Sequence, residues 1–200
     1  MKDILVLYYS QGGAVREMAQ LIARGVNGVA GANARLRTVP KVAPVTQTAE
    51  PAVPPEGAPY ADYADFEECI GVALGSQTRF GNMAAPMKYF LDGTGALWMK
   101  GTLAGKAASV FTSTASMHGG QETTLVSMMF PLLHHGMILV GLPYTLPELT
   151  TTSAGGTPYG ASHLGGPEDN RALTGEERSL CLAQGRRLAE VALLLAGTQA

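Results

Sequence analysis

Residues 2–15 read Lys2-Asp3-Ile4-Leu5-Val6-Leu7-Tyr8-Tyr9-Ser10-Gln11-Gly12-Gly13-Ala14-Val15. An almost unbroken apolar run that ends in turn residues suits a strand covered on both faces, as in a parallel sheet. Behind the turn, Val15, Met18, Ala19, Ile22 and Val26 recur at helical spacing, and Asn27-Gly28 stops the helix. Ala34 to Val39 then alternates apolar residues with Arg35, Arg37 and Thr38, the pattern of a second strand nearer an edge. A β–loop–α–β opening of this kind asks for more strands of the same sort, and the chain supplies them.

Cys69 to Gly75, Ala107 to Phe111 and Met137 to Leu142 are three further short apolar runs that predict buried strands. Helical patterns lie between them. Met83, Met87, Phe90 and Leu91 suggest one helix, with Pro86 near its start. Another runs from Gln121 to His135, with Leu125, Met128, Met129, Leu132 and Leu133 inward and a kink at Pro131. Thr174-Gly-Glu-Glu177 is a capping box that opens a last helix, with Leu180, Leu188, Val191 and Leu195 on its apolar face. Five strands alternating with helices give a doubly wound α/β sheet, because parallel strands need crossovers that cover both faces. The chain reads as one domain over 1–200, with surface excursions at about 40–59, which holds six of the twelve prolines, and at 150–174, which is Gly-rich and polar. Asp62 to Glu68 reads as a solvated acidic face of a short helix.

Composition narrows the function. Lys and Arg number 14 against 16 Asp and Glu, a net charge of −2, and no basic cluster offers itself to nucleic acid. Hydrophobic residues make up 46% and charged residues 15%, the balance of a chain with much buried surface rather than of a disordered one. The longest apolar runs fall far short of the roughly 18 residues of a membrane span, and the first leads into no leader-type cleavage site. Cys69 and Cys181 are too few for a disulfide framework and read as buried thiols of a reducing compartment, so a cytoplasmic protein is expected. The adjacent pair His134-His135 points about 100° apart on a helix and cannot chelate one ion, so no metal site is expected.

In doubly wound sheets, ligands bind at the carboxyl ends of the strands. Three loops there carry unusual chemistry. Ser10-Gln11-Gly12-Gly13-Ala14 combines glycines with a helix N-terminus, which suits a phosphate and equally a plain βα turn; it lacks the G-x-G-x-x-G of a dinucleotide site. Thr78-Arg79-Phe80-Gly81-Asn82 joins a cation, an aromatic face and backbone polar groups, as a flat heterocycle would require, although Arg79 paired on the surface and Phe80 capping the core would leave the same pattern. Thr112, Ser113, Thr114 and Ser116 precede Gly119-Gly120 and offer hydroxyls to a polar ligand edge, or to solvent. One ligand with a phosphate tail and a planar polar ring, such as flavin mononucleotide (FMN), accounts for all three.

Leu5-Val-Leu-Tyr-Tyr-Ser10, Thr78-Arg-Phe-Gly-Asn-Met83, Phe90-Leu-Asp92, Gly95-Ala-Leu-Trp98, Leu103-Ala-Gly-Lys106, Gly119-Gly-Gln-Glu122, His134-His-Gly136 and Gly155-Gly-Thr-Pro-Tyr-Gly160 together resemble the NAD(P)H:quinone oxidoreductase family of the flavodoxin-like fold, first named tryptophan-repressor-binding proteins. The resemblance covers nearly the whole chain, leaving out 40–59 and 168–175. It implies a flavodoxin-like five-stranded parallel sheet of order 2-1-3-4-5, a homotetramer, and hydride transfer from NADH or NADPH to FMN followed by two-electron reduction of a quinone. It also implies site residues. Ser10, Gln11, Gly12, Gly13, Ala14 and Val15 hold the FMN phosphate. Thr78, Arg79, Phe80, Gly81 and Asn82 line the ring, and Ser113, Thr114, Ala115, Ser116, Met117, His118, Gly119 and Gly120 hold its far side. His134 comes near the pyrimidine end, and Trp98 forms an aromatic wall that reaches a neighbouring subunit's site. Two departures stand out: Gly12 replaces an aromatic residue tied to the nicotinamide site, and Ala115-Ser-Met-His118 lengthens the third loop, so that His118 either enters the site or faces solvent. The rival readings are a one-electron carrier like flavodoxin and a flavin-linked regulatory binding protein.

Overall fold

The computed structural model describes residues 1–42, 54 and 57–198. The proline-rich stretch at 40–59 therefore falls mostly outside the described residues. Seven strands and seven helices follow one another among those described. They are β1 (Lys2–Tyr9), α1 (Ala14–Asn27), β2 (Ala32–Thr38), α2 (Tyr63–Glu68), β3 (Gly71–Arg79), β4 (Asn82–Met83), α3 (Ala85–Asp92), α4 (Gly95–Met99), β5 (Ala107–Thr114), α5 (Gln121–His134), β6 (Ile138–Leu139), α6 (Glu148–Thr151), β7 (Ser162–Leu164) and α7 (Gly175–Thr198). The sheet runs β2-β1-β3-β5-β6, all parallel, which is the order expected for the five anticipated strands. β4 and β7 are additions to it.

Alternation along β1 explains why its run is continuously apolar. Ile4, Val6 and Tyr8 enter one core, with Val15, Met18 and Ile22 of α1 and Leu188 and Ala192 of α7. Leu5, Leu7 and Tyr9 enter the other, with Met87 and Leu91 of α3 and Leu125, Met128 and Leu132 of α5. Each strand residue meets a helix on whichever side it faces. α1 and α7 approach closely enough that a Cβ at Gly25 would strike the Leu182 carbonyl, and one at Gly185 the Ile22 carbonyl. Glycine is required at that crossing for closeness, not for backbone angle.

Several expectations need correcting. β3 and β5 run on through residues read as loop, so Thr78 and Arg79 end β3, and Thr112, Ser113 and Thr114 are buried in β5. The fifth strand is shorter than Met137 to Leu142, and the reason lies in the segment taken for a surface excursion. Ser162–Leu164 pairs with Thr112–Thr114 while Ile138–Leu139 pairs with Ala107–Ala108, so two pieces of chain share the lane beside β5. Residues Ala161 to Gly166 are accordingly buried. Leu133 points outward, 51% exposed, because it falls off the stripe that Leu125, Met128 and Leu132 present to the sheet.

The acidic face at Asp62 to Glu68 is not wholly solvated either. Asp65 is buried, caps α2 by accepting from the Asp62 N–H at 2.9 Å, and takes Arg37 Nε at 3.0 Å and Arg35 at 3.3 Å. The two arginines that mark β2 as an edge strand are what it pairs with. Thr174 and Glu177 close their capping box, Glu177 N–H donating to Thr174 Oγ1 at 3.2 Å and Thr174 N–H to Glu177 Oε2 at 2.8 Å. Both cysteines are buried, and burial pushes both thiols up. Among the described residues no helix is long and apolar enough to cross a membrane.

Candidate functional site

The carboxyl ends of β1, β3, β5 and β7 meet at one edge of the sheet. Between them opens a cleft of about 390 Å³ lined by Gln11, Gly12, Gln77, Thr78, Arg79, Ser113, Thr114, Ala115, Gly166, Pro167 and Asp169. A second hollow of about 260 Å³ adjoins it under Tyr8, Ser10, Gln11, Gly12, Gly13 and Arg16. All three loops singled out in the sequence thus border one space, joined by a fourth segment.

The first loop is shaped for an anion. Gly13 caps α1 at φ +102°, a left-handed angle that a side chain resists, and its N–H donates to Ser10 Oγ at 3.1 Å. The N–H groups of Ala14 and Val15 start the helix and have no intrahelical acceptor. Together with the helix dipole they present partial positive charge to the hollow. Val15 can contribute only its backbone, since its side chain is 1% exposed and packs in the core.

Gln11 and Arg79 bridge the first and second loops. Arg79 donates to Gln11 Oε1 at 2.7 Å and to its neighbour's carbonyl, Thr78 O, at 2.9 Å, which fixes an exposed guanidinium at the rim. The chain then turns sharply. Phe80 takes φ +53° and Gly81 φ +76°, and Phe80 stands wholly in solvent. Asn82 turns back to cap its own hairpin, its Oδ1 accepting from Met83 N–H and Ser127 Oγ. Thr78 Oγ1 lies 2.6 Å from Thr124 Oγ1, tying the wall to α5.

Ser113 and Thr114 face this space from β5, and Ala115 stands beside them. Ser116, Met117, His118 and Gly119 are exposed beyond them, while Gly120 caps α5. His118 is exposed in the single chain, as are Arg79 and Phe80. Two residues do not join the group at all. α5 runs back from the cleft for 14 residues, about 20 Å at 1.5 Å per residue, and carries His134 to the opposite end of the sheet. Trp98 is there too, donating Nε1–H to the His134 carbonyl at 2.8 Å and remaining 52% exposed. Beside them, His135 Nε2 pairs with Thr94 Oγ1 at 2.9 Å, and burial, with a smaller push from His134, holds its pKa below the usual histidine value. Within one chain, then, Trp98 and His134 form a unit with each other and not with the loops.

The residues 166–169 were missed by sequence reasoning, as was Gln77. Asp169, at φ +51°, lays its carboxylate over Gly12, where any side chain would collide with it. A side chain at position 12 would have to displace the exposed Asp169 carboxylate, which gives that departure a structural counterpart. The segment is held by Gly165 N–H donating to Thr114 O at 2.8 Å and by Arg171 N–H to Gly165 O at 3.1 Å. No residue type in 166–169 announced this, because only the pairing of β7 with β5 brings the segment to the cleft. Gln77 carries the plainest mark of a ligand: it lines the cleft, its side-chain amide is shielded from solvent, and neither amide atom has a hydrogen-bond partner among the described residues. An anion seat at α1, a polar wall and an unpaired amide between them fit a ligand of FMN's kind.

Residues 6–136 match the flavodoxin family. An NAD(P)H dehydrogenase (quinone) of Chromohalobacter salexigens is 44% identical over 201 residues, covering 98% of this chain and 100% of that relative. Among solved structures, the WrbA-like flavodoxin of Agrobacterium tumefaciens superposes with a TM-score of 0.70 at 20% identity, over 97% of this chain and 99% of its own. A flavodoxin from the domain Archaea gives 0.62 at 18%, over 96% and 99%. At those identities the two structures speak for the fold alone.

Proposed function

The chain belongs to the flavodoxin family, and from that premise we propose that it is an FMN-dependent NAD(P)H:quinone oxidoreductase, a cytoplasmic homotetramer that reduces quinones by two electrons. The observation that carries the reading is the single cleft that gathers the loops after β1, β3 and β5, in a chain that matches a quinone dehydrogenase from end to end. When bound, FMN supplies a ring that takes a hydride from NADH or NADPH and passes two electrons to the quinone.

The residues of the chain then have distinct tasks. Ser10 to Val15 would seat the phosphate on the first turn of α1. Thr78, Arg79 and Phe80, with Gly81 and Asn82, would line the ring, and Ser113 to Gly120 its far side. Gln11 holds the Arg79 guanidinium still, so a positive charge stands ready at the rim where negative charge develops on reduction. A donor and an acceptor that stack on the same face of the ring would occupy it in turn, giving ping-pong kinetics.

Trp98 and His134 act in this reading on a neighbouring subunit's cleft, since the length of α5 keeps them from their own. Their fixed partnership delivers the indole face and the imidazole together. The exposed apolar residues Phe80, Met99, Phe130 and Tyr144 supply surface for the contact. The test is anaerobic stopped-flow absorbance of FMN-loaded protein. Bleaching near 450 nm (the flavin band) with NADH or NADPH, then full reoxidation by benzoquinone, is expected. Absence of bleaching with both nucleotides would refute the enzyme reading and favour an electron carrier.

A further inference from the structure

Gln77 is a polar side chain whose amide finds no hydrogen-bond partner among the described residues. Its neighbours along β3 are fully engaged on the other face of the sheet. Ser76 Oγ accepts from Ala84 N–H at 2.9 Å, and Thr78 Oγ1 meets Thr124 Oγ1 at 2.6 Å. Side chains alternate across a strand, so residue 77 faces the side on which α1 begins. It ends the row that starts with Ala73 and Gly75, and it is in register with Ser113 of β5. The amide thus lies in the cleft floor, between the anion seat of the first loop and the wall that begins at Thr78.

Both amide atoms are shielded from solvent and, among the described residues, unpartnered. For packing alone, leucine or methionine would fill the same volume without an unmade hydrogen bond. A side chain that offers both an acceptor and two donors is matched by a ligand group that also does both, and a hydroxyl is such a group. Resting on the proposed flavin site, we propose that Gln77 is a flavin-binding residue whose amide hydrogen-bonds the hydroxyl-bearing chain linking the phosphate of FMN to its ring. The phosphate needs donors only, and α1 supplies them. The ring has its own wall. The linking chain is the portion that must cross the floor where Gln77 sits.

The experiment compares wild type with Gln77→Met, which keeps length and loses both hydrogen-bonding atoms. Dissociation constants for FMN and riboflavin are read from quenching of flavin fluorescence, and the thermal midpoint is read on flavin-free protein. The expected result has opposite signs. Both flavins bind about tenfold more weakly, while the flavin-free variant keeps its midpoint or gains about 2–4 °C, having shed an unpaired buried amide. FMN affinity within twofold of wild type overturns the proposal. So does a loss seen with FMN and not with riboflavin, which would put the contact on the phosphate. If Gln77→Met lowers the midpoint, Gln77→Leu is measured in the same way, and a fall in both makes Gln77 structural and overturns the assignment. Wild-type protein that leaves FMN fluorescence unquenched would refute the flavin site itself, a failure visible before any variant is made.

Discussion

Glu177 holds the fourth wall of the cleft, and removing its carboxylate should unseat that wall. The side chain is fully buried. Oε1 accepts from Gly155 N–H at 2.8 Å and Leu164 N–H at 3.0 Å, and Oε2 from Thr174 N–H at 2.8 Å, with His163 Nδ1 at 2.9 Å. Glu177→Ala strips three backbone donors and an imidazole of their acceptor at once. Each buried donor left unpaired costs about 1–3 kcal/mol, and water entering the new cavity recovers part of the sum, so a loss of about 4 kcal/mol is expected. With a urea dependence of about 2 kcal/mol per molar, the midpoint of flavin-free protein should fall by about 2 M, followed by circular dichroism. Glu177→Gln keeps one acceptor oxygen and should lose about half as much. A midpoint shift under about 0.5 M for the alanine variant, or roughly 1 kcal/mol, would mean that water serves these N–H groups as well as the carboxylate does, and the reasoning would be wrong.

The same group sets a pH dependence. Burial pushes the Glu177 carboxyl up, but His163 and the Thr174 and Leu164 N–H groups outweigh it and hold the pKa below the usual value. The folded state therefore binds fewer protons, and the contribution is present above about pH 4.5 and lost below it, so Glu177→Gln should flatten the acid limb of a stability–pH curve. His135, also held below the ordinary histidine value by burial, works in the same direction higher on the scale: thermal midpoints should decline as pH falls below about 6.5, and His135→Gln should remove that slope. Arg79→Ala should weaken FMN binding by about 1–3 kcal/mol, measured by fluorescence titration, through loss of the cation that Gln11 holds at the rim; unchanged affinity would take Arg79 out of the site. Asp169→Asn should tighten FMN binding about threefold to tenfold and lessen its salt dependence, because the carboxylate over Gly12 stands beside the anion seat; weaker binding would show that Asp169 holds its loop in place.

What could be read from the residues and what could not divide along a physical line. β1, α1 and the Ser10–Ala14 turn were legible because period, turn chemistry and capping are local, and the capping box at Thr174–Glu177 was legible for the same reason. Thr112 to Thr114 read as loop because hydroxyl residues look solvated, whereas β7 and β3 flank them on both sides. Asp65 looked like one acid among four until Arg35 and Arg37 arrived from a strand about 30 residues away. Asp169 and Gln77 belong to the cleft only through tertiary placement, and no spacing rule reports that. Trp98 and His134 could be named from a resemblance, but only the length of α5 shows that neither joins the loops of its own chain.

The crossing of α1 and α7 has a consequence for synthesis. Arg178 of α7 reaches Glu17 of α1 across 161 positions of sequence, and Leu188 and Ala192 complete the core that Ile4, Val6 and Met18 begin. The earliest of the described helices is therefore covered by the latest of them, which is made long after it. Until Gly185 settles against Ile22, one face of the nascent sheet stays open to water and to chaperones, and a chain stalled or clipped ahead of α7 would be a substrate for degradation rather than a smaller version of the protein.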